Sequence, residues 1–429
     1  MGAMELHRGR LAGLAVTVTA FIVTGCGATA PTAAPSSPAM SPTRSSTPTT
    51  SPRSSASEVT SKNAPSTDLL VKGADAEHTT AGDPRVPWLW DGAINRPDGS
   101  QVRTDLHGGG TPLSFAEMPG HPDSYYVLGD SSAGPQLSLV NKSDVPGQTG
   151  MGADDPGWSS EGGLVSTPDG SMVAYATTVG MEQPAVAKAW QINLERAGGE
   201  KVTRLPDAAA PTLVGILRDG TVVFMTSGSS DIKLAGTDGS VTTMTVTGLP
   251  RGASAAPTAA SVSPNGRQLT VTFTKDGELK SCWGVASATT GELRAYTCDG
   301  GIDPTFSPDG GEIATVGNID VPMKDEFNLA TVYDAETLKA IKVFTTASPG
   351  AHGAEYEFFG PTLAWDHDSL LVPAYDSVDA VNGQHGWMLV WLNPTTKPDY
   401  QYARSLLVPA KEKSAPPFAF TADSLRVTG

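Results

Sequence analysis

Apolar and polar residues alternate in short runs along most of this chain, most clearly over 171–176, 221–225, 268–273, 312–316, 328–333 and 387–391. A period of two is the mark of a β-strand with opposite faces in different surroundings. After the first 25 residues no long stretch shows the 3.6-residue period of an amphipathic helix. The chain therefore reads as all-β.

A turn recurs between these runs. It is written Thr167-Pro168-Asp169-Gly170, Arg218-Asp219-Gly220, Pro264-Asn265-Gly266 and Ser307-Pro308-Asp309-Gly310. Weaker copies stand at His121-Pro122-Asp123, Asp366-His367-Asp368 and Thr421-Ala422-Asp423. Positions 123, 169, 219, 265, 309, 367 and 423 lie 46, 50, 46, 44, 58 and 56 residues apart. Short strands repeating every 40–50 or so residues are what the blades of a β-propeller look like in sequence. The Asp-Gly pairs have a local explanation, because tight turns need backbone angles that Asn, Asp and Gly tolerate best. These aspartates are expected to form turns and not to bind ligands.

Each repeat has room for four antiparallel strands, as over 163–166, 172–177, 187–193 and 201–205. The chain ends complete the pattern. Residues 86–94 and 100–104, joined by Pro97-Asp98-Gly99, supply two strands, and 418–420 with 425–428 supply two more. Pairing them closes a seventh blade and removes the open sheet edges that would otherwise invite aggregation. Seven blades is the expectation. Six or eight are the alternatives, since the first and sixth repeats are irregular.

The Ser-Pro-Asp-Gly turns, followed by strands such as 312–316, resemble the TolB-like, WD-type β-propeller repeats of secreted bacterial proteins. The resemblance covers about 85–429 and implies the fold, not a function. TolB works with an outer-membrane lipoprotein and carries a further N-terminal domain. The reading of this chain has no counterpart to that domain, so that partner is not carried over.

The first 25 residues read as a processing signal, with a basic His7-Arg8-Gly9-Arg10 segment and an apolar run over 11–23. That run is shorter than the ~20 residues a membrane-spanning helix needs. Val23-Thr24-Gly25-Cys26 resembles the lipobox of bacterial lipoproteins, which implies that Cys26 is diacylated and becomes the mature N-terminus. The expected divisions are a signal peptide at 1–25, a disordered Ser/Thr/Pro/Ala tether at 26–67 and the propeller at 68–429. A tether of that composition has nothing apolar to bury. The expected location is the extracytoplasmic face of the cell membrane, through a lipid anchor.

Formal charge is −16. This argues against nucleic acid and against direct contact with anionic lipid. Of three cysteines, Cys282 and Cys298 flank the turn at 288–291. A hairpin centred near 290 would set them opposite each other as a cross-strand disulfide; a metal site there would lack a nearby histidine.

Motifs for catalysis are missing. Neither Gly129-Asp130-Ser131-Ser132-Ala133-Gly134 nor Gly157-Trp158-Ser159-Ser160-Glu161 makes a nucleophile elbow, and there is no P-loop or zinc-binding His pair. The long loops over 318–327, 347–359 and 375–386 fall on one face of the repeat register. They bring Asp320, Lys324, Asp325, Glu326, His352, Glu355, Tyr356, Asp376, Asp379 and His385 to a candidate binding face. This acidic, His-bearing patch suits a divalent cation or a basic partner, although long acidic loops also serve plain solubility. Trp158 and Glu161 are placed near the same channel mouth. Trp190, Trp283, Trp365, Trp387 and Trp391 fall on strands and are expected to pack between blades.

The leading expectation is a monomeric, non-catalytic binding scaffold without a cofactor, taking an envelope protein or a small ligand. The rivals are a metal-assisted lyase or glycan-active enzyme at the channel mouth, and a solute-binding or sensory lipoprotein.

Overall fold

The alternating runs form strands, and in the computed structural model these assemble into seven small sheets of a β-propeller. The structure describes residues 56–60, 64–68, 83–90, 92–104, 111–131, 133–141, 157–180, 182–206, 208–253, 257–275, 281–298, 301–316, 326–347, 356–358, 363–381, 384–409 and 418–420. All of them fall in one unit, Pro52–Gly429. No α-helix occurs among the described residues.

Blade 1 runs Thr111–Met118, His121–Ser131, Gly134–Asn141, Gly157–Trp158, and blade 2 runs Leu164–Ser166, Met172–Thr178, Trp190–Arg196, Gly199–Arg204. Blade 3 follows as Pro211–Ile216, Val222–Thr226, Ile232–Ala235, Val241–Met244. The four repeat strands of blade 4 are Thr258–Val262, Gln268–Thr274, Ser281–Ser287, Leu293–Thr297; those of blade 5 are Ile302–Phe306, Glu312–Val316, Glu326–Asp334, Ala340–Ala347. In blade 6, Tyr356–Phe358 and Ala364–Asp366 both pair with Ser369–Val381, followed by Gln384–Leu392 and Tyr400–Pro409.

The alternation has a direct use, because each blade buries both faces. In His121–Ser131, Tyr125 and Val127 pack against blade 7 while Tyr126 and Leu128 pack against blade 2. Seven apolar clusters fill the seven seams between neighbouring blades. Trp190, Trp283 and Trp365 lie fully buried in three of them. Each removes a large apolar surface from water, stabilising by about 2–3 kcal/mol per side chain.

The turns work as their residues suggest. Asp169 accepts the Ser171 N–H (3.0 Å) and Asp309 the Gly311 N–H (2.9 Å), and Asn265 does the same for Arg267 (3.0 Å). The preceding hydroxyl adds a second bond: Ser307 Oγ donates to Asp309 Oδ1 (2.6 Å) and accepts from the Glu312 N–H (2.9 Å). Gly266 sits at φ 66°, and a Cβ there would stand 2.2 Å from the Arg218 nitrogen, so the turn also needs glycine to approach blade 3. The His121-Pro122-Asp123 copy is corrected. The turn lies earlier, with Met118 paired to His121 and Gly120 at φ 78°, and Asp123 is on the strand, bonded to Arg96 at 2.8 Å. Thr421-Ala422-Asp423 lies outside the described residues.

Closure of the ring differs in detail from expectation. Phe418–Phe420 pairs with Trp88–Trp90, which pairs with Ala93–Asn95, which pairs with Gln101–Arg103. Among the described residues the N-terminal segment therefore supplies three strands of this blade, in place of two. The stretch 86–94 is not one strand, because it folds back at Gly92 (φ 68°), with Trp90 opposite Ala93. Residues 425–428 lie outside the described residues.

A latch holds the incoming chain to blade 6. The Asp366 side chain is wholly buried and takes a hydrogen bond from Trp391 Nε1 (2.6 Å) and one from the Arg85 backbone N–H (3.1 Å). The Arg85 guanidinium pairs with Asp366 Oδ1 (3.4 Å), bonds Asp368 (2.9 Å) and lies 5.9 Å from the Trp391 ring centroid. Asp366 is thus a buried ion-pair partner, whereas its neighbour His367 is the exposed turn residue, at φ 60°.

Two short pieces of the stretch expected as a tether pair with the ring. Ser57–Glu58 adds in parallel to the outer strand of blade 4, and Ser66–Asp68 to that of blade 5. The cause is a few residues that depart from Ser/Thr/Pro monotony. Ala56 and Val59 pack against the blade 3–4 and 4–5 seams. Glu58 meets Lys275 Nζ (2.9 Å) and the Tyr296 hydroxyl (2.9 Å). Thr67 donates to Asp399 (2.8 Å), which Lys342 and Lys397 also hold.

Arg85→Ala leaves the buried Asp366 carboxylate without its cation, and the expected loss is about 3 kcal/mol in a denaturant melt. Asp366→Asn is expected to cost less, and the double substitution to recover part of the Arg85→Ala loss. Equal, additive losses would remove the latch from the account of closure.

Candidate functional site

In an antiparallel four-stranded blade, the first and third hairpins point to one face of the ring. The second connection and the link to the next blade point to the other. The Asp-Gly turns hold the first face, here the turn face. The long connections of blades 5 and 6 hold the second, the connection face.

On the connection face, blade 6 is more ordered than its sequence suggested. The stretch 375–386, expected as a loop, is mostly the end of a long hairpin between Ser369–Val381 and Gln384–Leu392, and 347–359 contains the strand Tyr356–Phe358. Backbone register brings Tyr356 opposite Asp376 and Asp376 opposite Gly386, next to His385, which is opposite Val408. Three of the expected site residues thus share one end of three neighbouring strands. Asp379 lies further along the hairpin, and Glu326 opens the third strand of blade 5, opposite Ala347. Asp320, Lys324, Asp325, His352 and Glu355 lie outside the described residues. Among the described residues no group of three or more His, Cys, Asp or Glu is placed to hold a metal ion.

The disulfide Cys282–Cys298 joins the third and fourth strands of blade 4 at this same face, with Cα atoms 4.1 Å apart. It lies one register step beyond the Trp283–Thr297 pair. Trp158 belongs elsewhere. It is on the outermost strand of blade 1, opposite Gln136, and so at the rim of the ring instead of the channel mouth. Exposed Glu161 follows in the short link to blade 2.

The turn face carries the charges that sequence reading missed. Burial pushes Glu312 up to about 7, helped by the negative charges of Asp309, Asp368 and Asp334 around it. Hydroxyl donors act the other way on the turn acids: Ser307 lowers Asp309, Thr337 lowers Asp334 and Thr167 lowers Asp169. At Asp368 desolvation is outweighed by Arg85, a backbone N–H and Ser369 together, which keep it low. Only the assembled seam between blades 5 and 6 brings positions 309, 312, 334 and 368 together. Their spacing in sequence carries no sign of it.

At the seam of blades 1 and 2, the rings of Tyr126 and Tyr175 lie 4.8 Å apart, and their hydroxyls donate to Glu195 and Glu200 respectively. Burial and the adjoining carboxylates raise both phenols, so they stay protonated as donors.

No family model matches this chain and no curated protein is similar to it. Solved structures are similar to it. TolB from Acinetobacter baumannii is 14% identical, with 61% of this chain and 66% of that one covered, just under two thirds of its length, at a TM-score of 0.36. A putative TolB from Agrobacterium tumefaciens is 15% identical over 76% of this chain and 91% of that one, at 0.33. An oligogalacturonate lyase in complex with manganese is 15% identical over 66% and 78%, at 0.40. The fold assignment stands on the chain's own seven sheets.

Glu312 gives the domain a pH signature. Its carboxyl is raised in the folded state, so the folded form holds its proton more tightly than the unfolded chain. Stability is therefore lost as pH rises from about 4.5 to about 7. Glu312→Gln is expected to stabilise the protein at pH 8 by about 1 kcal/mol, allowing for solvent screening of a half-buried group. The gain should vanish below pH 4.5, as chemical melts across pH would show. A gain independent of pH would contradict it.

Proposed function

We propose that this chain is a lipid-anchored extracytoplasmic β-propeller that acts as a binding scaffold, without catalysis, and that its connection face at blades 5 and 6 receives an envelope protein. The observation that carries this reading is the long blade 6 hairpin. Its register collects Tyr356, Asp376 and His385 at one end of a rigid sheet. A rigid frame that projects variable polar segments on one side is how propellers present binding surfaces. The anchor rests on Val23-Thr24-Gly25-Cys26 and the Ser/Thr/Pro-rich stretch after it. The net charge of −16 favours a partner with a basic contact surface.

Two measurements test the two parts. Wild-type protein should pellet with membranes, and Cys26→Ser should release it to the soluble fraction. If the wild type is soluble, the anchor is wrong. A photo-crosslinking residue at Asp379 should give a discrete adduct in intact cells, whereas one at Asp238, in a hairpin of the turn face, should not. Equal adducts at both, or none at Asp379, would remove the connection face from consideration. Substrate turnover abolished by His385→Ala would replace the scaffold with an enzyme.

A further inference from the structure

The docked N-terminal arm does more than cover two sheet edges. Where Ala56 and Ser57 lie along blade 4, they form one wall of a cleft of about 490 Å³. The other walls come from the start of the second strand (Arg267, Gln268) and from the third hairpin with its outgoing strand (Glu292, Arg294). The cleft is on the turn side of blade 4, away from the connection face. Its size falls in the range of small-molecule sites, about 300–1,000 Å³.

Its charge is the reverse of the protein's. The chain has 45 acidic residues against 29 Lys and Arg, yet this cleft presents two arginines and one glutamate. Neither Arg267 nor Arg294 forms a salt bridge among the described residues. Arg294 is steadied by one nitrogen, Nη2, which donates to the Ala335 (2.9 Å) and Glu336 (3.4 Å) carbonyls in blade 5, and its charge also acts on Asp334. Guanidinium groups match carboxylate and phosphate oxygens in paired hydrogen bonds, which a lysine ammonium does not.

We propose that this cleft is a binding site for a small multiply charged anion, either a polycarboxylate or a phosphoryl compound, gripped by Arg267 and Arg294 and closed on one side by the arm. Glu292 at the rim repels any anion, so the two arginines must outweigh it for one to bind. Because Ala56 and Ser57 are wall residues, the anion and the docked arm stabilise each other. The arm is held by Glu58 with Lys275 and Tyr296, by the Ala56 N–H to Gly248 O bond (3.2 Å) and by the Val59 N–H to Tyr296 O bond (2.9 Å). The site is separate from the connection face and does not depend on the scaffold reading.

Titration calorimetry on the full mature chain, with citrate, inorganic phosphate and glucose as probes, tests this. Saturable binding of citrate or phosphate, but not glucose, is expected, and which of the two binds assigns carboxylate or phosphoryl chemistry. Arg267→Ala should weaken that binding about tenfold or more, the worth of a charge-assisted hydrogen bond. Glu292→Gln should tighten it a few-fold. Glu58→Ala, which loosens the arm and leaves both arginines in place, should weaken it too. Anion should slow hydrogen exchange at the Val59 amide in the wild type. Arg267 is exposed, so its variant should keep the wild-type melting midpoint. No saturable anion binding by about 10 mM, an unchanged affinity in Arg267→Ala, or equal binding of glucose would each overturn the site.

Discussion

Every blade of this protein is a sheet with two apolar faces and no means of burying them except against its neighbours. A four-stranded sheet that hides one face still exposes the other, so stacking must continue until the last blade meets the first. Seven filled seams are the result. The ring therefore depends on its weakest join, where the two distant chain segments of blade 7 must pair. Phe418–Phe420 and Trp88–Trp90 supply the backbone pairing, and Trp88 and Phe420 supply packing against blade 6.

Polar pins gather at that join. Arg85 with the buried Asp366, and Arg96 with Tyr125 (2.7 Å) and Asp123 (2.8 Å), flank blade 7 on its two sides. An apolar seam favours close packing but tolerates sliding. An ion pair on a buried carboxylate has one geometry, and removing Arg85 strands Asp366 away from water. The pins thus set the register of a join that packing alone would leave loosely specified. The arm continues the same logic outward. It adds strands to blades 4 and 5, and a single carboxylate, Asp399, held at about 2 by Lys397, Thr67 and Lys342 against its partial burial, ties the arm to blades 5 and 6.

The two faces of the ring divide the chemistry. On the turn face, hydroxyls and N–H groups hold the turn carboxylates ionised, while burial, helped by their crowded charges, raises Glu312. Acid weakens the turns as those carboxylates protonate, while alkali charges Glu312 against its neighbours, so stability is greatest between the two. The connection face carries Tyr356, Asp376 and His385 at one end of three neighbouring strands of blade 6.

Alternation with a period of two, punctuated by Asp-Gly and Asn-Gly, is a local property, and sequence by itself determined the strands, most turns, the repeat and the ring that follows from two-sided sheets. The pairing of Cys282 with Cys298 was equally legible, because a hairpin of known centre leaves little freedom. Local signals failed where a distant partner outweighed them. The 121–123 turn moved to Gly120, the 375–386 loop became hairpin, and an arm of low apolarity docked through Ala56, Val59 and Glu58. Tertiary structure alone decided that Arg85 lies against Asp366, that four acids meet at one seam, and that Arg267 and Arg294 face one cleft. Such meetings depend on which blades become neighbours, and distance along the chain says nothing of distance across a closed ring.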